Sequence, residues 1–326
     1  MNGKNIKSLA KNVIDTEIKS LQKLKKNIKN SFLEAVKEIV NCKNGKVIVS
    51  GVGKSGIIAK KISSTLASVG TPSFYVDASS CSHGDLGQIS SNDLLILISY
   101  SGETAELKNI IQYANRNKKI KLIGIVSKKN SLLYRSSDIK ILLPEVKEAG
   151  PGNIVPTSST ITQLAIGDAI AITTMKFKKF GNLDFKRFHP SGSLGAKLKT
   201  VEDLMLTGNK IPFIKENAKM KDALKIITLK KLGVLIALNK YKKTTGIITD
   251  GQIRRALQKS PDLKNLFVKN VMTLKPIVVD KNILAAKALE IMNTKKITCL
   301  CVRKSKNDQK TVGIIHIHNI LEGNIS

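Results

Sequence analysis

Apolar and polar positions divide the first 200 residues into helices and short strands. From residue 5 to 40, apolar side chains such as Ile6, Leu9 and Val13 recur at helical spacing, which predicts one or two N-terminal helices. Aliphatic and β-branched runs then alternate with helical stretches. The predicted strands are Lys46–Ser50, Ser73–Val76, Leu94–Ser99, Lys121–Val126 and Lys140–Leu143. Near-continuous apolar strands separated by helices predict a doubly wound, parallel five-stranded α/β sheet covered on both faces.

An internal repeat follows residue 200. Val201–Met205 aligns with Val268–Met272, and Gly246–Ile248 aligns with Gly313–Ile315, both at a spacing of 67 residues. Each copy has the pattern of a helix, a strand, a second strand and a closing helix. Copies of roughly 60 residues are small for independent stability, so they are expected to pack together. The sequence predicts an α/β domain over 1–200, with N-terminal helices over 1–42, and tandem α+β repeats over 201–262 and 263–326.

Composition narrows the range of partners. The chain has 55 Lys and Arg against 24 Asp and Glu, a formal charge of +31, which is typical of proteins that bind nucleic acid. However, only six of these cations are Arg, aromatic residues are 4% and Trp is absent. Nucleic-acid recognition favours Arg forks and aromatic stacking, and the lysines here are scattered along the chain. No nucleic-acid partner is expected.

The same residues predict a cytoplasmic protein with no membrane partner. No apolar stretch follows the N-terminal cations as in a secretory signal, and no run approaches the ~20 apolar residues that cross a bilayer. The four cysteines include no CxxC pair, so we expect reduced thiols rather than disulfides.

A glycine-rich loop, GVGKSG over 51–56, joins the first predicted strand to a helix. Glycines let the backbone approach an anion, and a helix start offers free N–H groups, so the loop predicts a phosphate site. A Walker A loop would need Gly where this chain has Ile48. A dinucleotide site would use G-x-G-x-x-G with Asp77 on the ribose. A sugar-phosphate site is favoured by a second, hydroxyl-rich loop, SYSGET over 99–104, which again leads from a strand into a helix.

Further polar residues fall in segments that follow the predicted strands. They are His83-Gly84-Asp85, Lys147-Glu148, PTSST over 156–160 and HPSG over 189–192. Singly, each is explained by surface exposure or helix capping. Together they occupy loops and helix starts after strands, where α/β proteins build their sites.

Seven segments resemble the arabinose 5-phosphate isomerases, a family with a sugar-isomerase (SIS) domain followed by two CBS domains: GVGKSG, TLASVGTPSFYV, HGDLG, SYSGETAEL, VKEAG, PTSSTIT and HPSGSLGAKL. They occur in order along essentially the whole chain. The resemblance implies four catalytic residues, Lys54, Glu103, Glu148 and His189. It also implies substrate contacts by His83, Gly70 and Thr71.

The implied reaction interconverts D-arabinose 5-phosphate and D-ribulose 5-phosphate. Moving a proton between C2 and C1 through an enediol(ate) requires a base, here Glu148 or Glu103, and a cation or imidazole near the developing charge. Lys54 would support that charge, while His189 and His83 would assist ring opening. The substrate and its phosphate would be held by Gly53, Ser55, Ser99, Ser101, Thr104 and Ser158. No cofactor is required, and no metal is expected.

The resemblance extends to assembly and pathway. It implies a homotetramer with sites shared between subunits, and a product that leads to 3-deoxy-octulosonate for lipopolysaccharide or capsule. Two alternatives stay open at this stage. A non-catalytic sugar-phosphate sensor would have lost its carboxylates, yet Glu103 and Glu148 are present. A nicotinamide-dependent dehydrogenase would use the glycine loop with Asp77.

The chain departs from the family pattern at four positions of the first domain. Asp77 stands where relatives often carry a metal-binding His, so it is the candidate metal ligand and any zinc site there is in doubt. Tyr100 replaces an Asn, Gly150 a Cys and Ser191 a Gly. None of these changes affects the four implied catalytic residues.

The repeats also depart from their pattern. CBS pairs often bind adenine nucleotides through a Thr or Ser and an Asp three residues later, but the acids are replaced by Gln252 and Asn319. We therefore favour a structural or oligomerising role for the repeats over nucleotide sensing. Cys299-x-Cys301 and His316-x-His318 have a spacing that suits zinc on adjacent strands, although core Cys and surface His are commoner.

Overall fold

Five β-rich runs of the first half form one parallel sheet in the computed structural model. The strands are β1 Val47–Gly51, β2 Ser73–Tyr75, β3 Leu94–Ile98, β4 Lys121–Val126 and β5 Ile139–Leu142. Their order is β2-β1-β3-β4-β5, the flavodoxin-like arrangement. Neighbouring strands align in parallel, for example Val47 with Leu94 and Leu95 with Leu122.

Helices cover both faces of this sheet. They are α1 Gly3–Lys26, α2 Asn30–Asn41, α3 Gly53–Ser68, α4 Lys108–Arg116, α5 Leu132–Ser136, α6 Ser158–Phe177 and α7 Asn182–Phe188. Because successive strand residues point to opposite faces, Val47 and Val49 pack in one core with α1, α2, α3 and α6. Ile48 and Leu97 pack in a second core with α4 and α5. The predicted doubly wound α/β fold is confirmed.

The second half builds two further sheets from the repeats. Its helices are α8 Val201–Leu204, α9 Met220–Lys230, α10 Asp250–Lys259, α11 Val268–Val271, α12 Ala285–Lys295 and α13 Ile317–Glu322. Its strands are β6 Leu206–Thr207, β7 Phe213–Lys215, β8 Val234–Leu238, β9 Thr244–Thr249, β10 Thr273–Leu274, β11 Val278–Asp280, β12 Cys299–Arg303 and β13 Gly313–His316. Each copy contains the predicted helix, strand, strand and helix, together with short strands that the sequence pattern did not predict.

The two repeats exchange edge strands. Strand β6 belongs to the first repeat, but it pairs with β13 of the second, where Thr207 lies opposite Gly313. Strand β10 belongs to the second repeat and pairs with β9 of the first, with Thr273 opposite Ile247. The sheets are therefore β10-β9-β8-β7 and β11-β12-β13-β6. Residues from both copies, including Ile236 and Ile314, share one core cluster.

The structure describes residues 3–189, 195, 197–259, 262–305, 307–323 and 325. They divide into two units, residues 1–188 and 189–326. Over the described ranges, none of the helices combines the length and apolar character needed to cross a lipid bilayer.

Candidate active site

The glycine-rich loop runs from β1 directly into α3, as predicted. Gly53 has a φ of +58°, a backbone conformation that a side chain disfavours. At Gly56, a Cβ would lie 2.7 Å from the Gly51 carbonyl oxygen, so the turn is too tight for any larger residue. The first turn of α3 has no acidic residue, and Lys54 is exposed there. The loop thus presents helix N–H groups and one cation to an anion.

The hydroxyl-rich loop after β3 is organised by its own side chains. Ser99 Oγ accepts a hydrogen bond from the Gly102 N–H at 3.0 Å and lies 2.8 Å from Thr104 Oγ1. Ser101 Oγ lies 3.4 Å from Ser99 Oγ. Gly102 has a φ of +72°, which the turn requires. Three hydroxyl groups therefore converge at the end of β3, which is the arrangement expected for a phosphate-binding loop.

Glu103 lies at the exposed tip of the same loop. Its Oε1 accepts a hydrogen bond of 2.8 Å from the Leu132 N–H, the first residue of α5. The side chain therefore points across β4 towards the start of that short helix. The carboxylate is fixed by its backbone partner and remains accessible to solvent.

Glu148 is the buried carboxylate of the site and is only 9% exposed. Its Oε2 accepts hydrogen bonds from the Thr157 N–H at 2.7 Å, the Thr157 hydroxyl at 3.1 Å and the Ser159 N–H at 3.2 Å. These donors belong to the start of α6, so the carboxylate caps that helix from nine to eleven residues earlier in the chain. All three of these bonds end on Oε2, and the Ser159 side chain is a further hydrogen-bond partner of the carboxylate.

The charge state of Glu148 follows from these contacts. Burial acts to raise its pKa, but the hydrogen bonds from Ser159 and Thr157 outweigh burial and hold the pKa below its ordinary value. Glu148 is therefore ionised at neutral pH. An ionised carboxylate that is fixed through one of its oxygens has the form required of a general base.

A cavity opens beside Glu148. Its volume is about 780 Å³, within the range of small-molecule sites. One wall is the segment 147–157, and the opposite wall is α1, with Leu9, Asn12, Val13 and Thr16. Glu148 therefore borders an open space, and the described residues that line this space include none from the glycine-rich loop or the hydroxyl-rich loop.

Helices α3 and α6 pack against each other. Both follow the carboxyl end of a parallel strand and lie on the same face of the sheet. Gly167 contacts Ile62 so closely that a Cβ would lie 2.2 Å from the Ile62 Cδ1 atom. Each of these residues is nine positions beyond the start of its helix. The structure thus brings the glycine loop and the Glu148 segment to one edge of the sheet.

Ser158 and Ser55 lie at these two helix starts. Ser158 is fully buried, and its hydroxyl has no hydrogen-bond partner within the described part of the chain. Ser55 is half-buried in the glycine loop. Both occupy the edge that the hydroxyl-rich loop also reaches.

His83 and Asp77 follow β2 at the same edge. His83 ends an exposed 3-10 turn, Ser80–His83, which is tied to α4 by a 2.8 Å hydrogen bond from Asn109 to the Ser82 hydroxyl. Asp77 caps this turn through N–H bonds from Ser79 and Ser80, which lower its pKa, and its other oxygen accepts from Tyr75. Both oxygens of Asp77 therefore have local structural partners.

Gly70 and Thr71 lie at the opposite edge of the sheet from the loops described above. They precede β2, at the amino edge of the parallel sheet, whereas the loops above follow the carboxyl ends. A Cβ at Gly70 would lie 2.2 Å from the Phe180 ring, and the Thr71 hydroxyl accepts a 3.0 Å bond from Lys178. Within one chain, the structure does not bring this turn together with Lys54 or Glu148.

The last predicted segment falls at the division between the units. His189 is half-buried and is the first residue of the second unit. Ser191 and the rest of the HPSGSLG motif through Leu194 lie outside the described residues. The role implied for His189 stays a prediction.

The predicted nucleotide and metal positions of the repeats have local partners. Gln252 Oε1 accepts from the Thr249 N–H at 2.8 Å, and Asn319 Oδ1 accepts from the His316 N–H at 3.2 Å. Cys299 pairs with His316 across β12 and β13, and burial raises the pKa of this thiol to about 11. In the part of the chain that the structure describes, no three His, Cys, Asp or Glu side chains are grouped to hold a metal ion.

Comparison with known proteins agrees with this architecture. Residues 39–173 match the SIS domain family, and residues 201–259 and 268–324 match the CBS domain family. The arabinose 5-phosphate isomerase KdsD of Yersinia pestis is 39% identical over 324 residues, 99% of this chain and 97% of that protein. The uncharacterized protein RP505 of Rickettsia prowazekii is 37% identical over the full length of both chains.

A solved structure agrees as well. Escherichia coli CFT073 c3406 in complex with arabinose 5-phosphate has 37% sequence identity and a TM-score of 0.56, and the match covers 58% of this chain and 100% of that one. The fold and the carboxyl-edge site thus define a SIS-domain protein with tandem CBS domains. The chain belongs to the arabinose 5-phosphate isomerase family.

Proposed function

We propose that this protein interconverts D-arabinose 5-phosphate and D-ribulose 5-phosphate. The observation that carries the proposal is Glu148, an ionised, buried carboxylate at the same edge of the sheet as two phosphate-type loops, in a chain whose full-length relatives are arabinose 5-phosphate isomerases. Aldose–ketose isomerisation needs this combination of a fixed base and an anion cradle.

In the proposed mechanism, the phosphate binds to the N–H groups at Gly53 and Ser55 and to the hydroxyls of Ser99, Ser101 and Thr104. After ring opening, aided by His83 and His189, the Glu148 carboxylate takes the C2 proton. The resulting enediol(ate) carries its charge near Lys54. Glu148 then returns the proton to C1, the hydroxyl proton of O2 passes to O1, and the carbonyl moves to C2 with no net oxidation. No cofactor or metal ion enters these steps.

The structure supports Glu148 rather than Glu103 as the base. Glu148 is buried and is held at the start of α6, whereas Glu103 is exposed and one of its oxygens is bound by Leu132. Glu103 is proposed to fix the hydroxyl-rich loop and to contribute to substrate positioning.

The test is turnover of D-arabinose 5-phosphate in D2O with excess EDTA, with NMR detection of deuterium in the product. We expect metal-independent turnover with label. Glu148→Gln should lower kcat at least about a hundredfold, Glu103→Gln should lower it less, and Glu145→Gln, an exposed carboxylate of the same segment, should match the wild type.

Three outcomes would each contradict a part of the proposal. Loss of activity in Glu103→Gln but not in Glu148→Gln would exchange their roles. No turnover by the wild type, with protection against heat by the same sugar phosphate, would favour the sensor. Inhibition by EDTA would contradict the metal-free mechanism but not the isomerase function.

We also propose a homotetramer that shares its sites between subunits. Ile6, Leu9 and Ile14 on α1 and Ile154 near the site are large apolar side chains that are exposed in the single chain. A second subunit would cover them, and Gly70 and Thr71 of that subunit are proposed to complete the substrate contacts. Light scattering after gel filtration tests the assembly, and a monomer would contradict it.

A cytoplasmic location and a product that leads to 3-deoxy-octulosonate for lipopolysaccharide or capsule complete the proposal. Full-length similarity to KdsD proteins supports the pathway. Loss of the gene should deplete 3-deoxy-octulosonate in the cell envelope, and an unchanged content would contradict this assignment.

A further inference from the structure

Tyr100 is the residue at which three loops of the site meet. It follows Ser99 at the end of β3, and its half-buried ring packs against the core that contains α3 and α6. The family resemblance places an Asn at this position, so the tyrosine is a feature of this chain. None of the roles proposed above involves its hydroxyl group.

Both hydrogen-bonding capacities of that hydroxyl are used by the segment after β5. The Tyr100 hydroxyl donates to the Pro144 carbonyl oxygen at 3.2 Å and accepts from the Val146 N–H at 3.0 Å. Val146 is two residues before Glu148. The phenol thus holds the backbone of the segment that carries the proposed base.

The backbone of Tyr100 is bound to the segment after β4. Its carbonyl oxygen accepts from the Ser127 N–H at 3.0 Å and from the Ser127 hydroxyl at 2.7 Å. Burial is the main cause that raises the pKa of the Tyr100 phenol, so the hydroxyl stays protonated and can donate. One residue therefore connects the loops that follow β3, β4 and β5.

We propose that Tyr100 is a positioning residue, whose hydroxyl holds the segment carrying Glu148 in register with the loop carrying Ser99 and Glu103. The inference rests on the proposed isomerase function. The phosphate-binding side chains contact one another without this hydroxyl, whereas the backbone leading to Glu148 is bound by it. Loss of the hydroxyl should therefore impair proton transfer more than binding.

The test compares Tyr100→Phe with Tyr113→Phe. Tyr113 is a matched control because it is also half-buried and its hydroxyl donates to one backbone carbonyl, that of Ile89, at 3.1 Å. We expect Tyr100→Phe to lower kcat about tenfold while KM changes less than about twofold, and Tyr113→Phe to leave both within about twofold of the wild type. Hydrogen exchange measured by mass spectrometry should become faster over 144–157 in Tyr100→Phe only.

The outcomes separate this inference from the function on which it rests. Wild-type kcat together with unchanged exchange in Tyr100→Phe would overturn the inference, as would equal losses of kcat in the two variants. An inactive wild type would refute the proposed function instead. In that case the exchange comparison still decides whether Tyr100 holds the Glu148 segment.

Discussion

Thr157 offers a direct test of how Glu148 is kept ionised. Its hydroxyl donates to Glu148 Oε2 at 3.1 Å and accepts from the Ala149 N–H at 2.8 Å. Thr157→Val preserves the shape of the side chain and removes both bonds. The carboxylate keeps its two backbone donors, at Thr157 and Ser159, so the helix start remains in place.

The size of the expected loss in the free energy of unfolding follows from the negative charge on the hydrogen-bond acceptor. A hydrogen bond to an ionised group contributes about 1.5–3 kcal/mol, and the lower value applies because two donors remain. The variant should therefore lose about 1.5 kcal/mol of the free energy of unfolding at pH 7. The pKa of Glu148 is lowered in the folded state, so this stabilisation exists above the unfolded-state value and disappears as pH falls through the folded pKa. The difference in the free energy of unfolding between Thr157→Val and the wild type should therefore be smaller at acid pH.

Urea unfolding followed by tyrosine fluorescence measures this difference. Four of the five tyrosines lie in the first unit and Trp is absent, so the signal reports mainly on the unit that contains Glu148. Thr157→Ser keeps a hydroxyl and should recover most of the loss. Thr65→Val removes a 3.0 Å bond to a helix carbonyl and serves as the control.

The kinetic counterpart is the pH profile of kcat/KM. Because the base must be ionised and its pKa rises in Thr157→Val, the acid limb should move to higher pH. The reasoning would be refuted by an equal stability deficit at neutral and acid pH, by equal losses in Thr65→Val, or by an acid limb that stays in place.

Two glycines test the packing that positions the site. Gly167→Ala should destabilise the first unit by about 1–3 kcal/mol, because its Cβ would lie 2.2 Å from a side-chain carbon of Ile62 between α3 and α6. The control is Gly87→Ala, whose Cβ would meet no heavy atom within 4 Å. Equal urea midpoints for the two variants would contradict this packing. Gly102→Ala should cost at least about 1–2 kcal/mol and raise KM for the sugar phosphate, because its φ is +72° and its Cβ would lie 2.1 Å from the Ser131 hydroxyl oxygen. A wild-type KM would count against the hydroxyl-rich loop as the phosphate site.

Much of the fold of the first unit can be predicted from the sequence alone. Apolar runs located each strand of the parallel sheet to within one residue at either end, as for Lys46–Ser50 predicted against Val47–Gly51 observed. Such runs are informative because a parallel sheet is buried on both faces. The helix starts at Gly53 and Ser158 likewise follow from glycine and hydroxyl residues placed after strands.

The hydrogen bonds that position Glu148 and Tyr100 are harder to predict from the sequence. The PTSST segment predicts a helix start, but the residue that caps it is Glu148, nine residues before Thr157, and no local spacing rule indicates this pairing. Tyr100 has no signal beyond its departure from the family pattern. By contrast, the position of Gly70 and Thr71 at the amino edge follows from their place before β2, so strand order alone separates them from the carboxyl-edge loops.

The exchange of edge strands makes the two repeats one cooperative body. Each copy supplies the short strand that closes the other's sheet, β6 on β13 and β10 on β9. A fragment that holds a single copy would expose an unpaired strand edge, which is a template for aggregation. Neither copy can therefore unfold, be deleted or be replaced without leaving an unpaired strand edge in its neighbour.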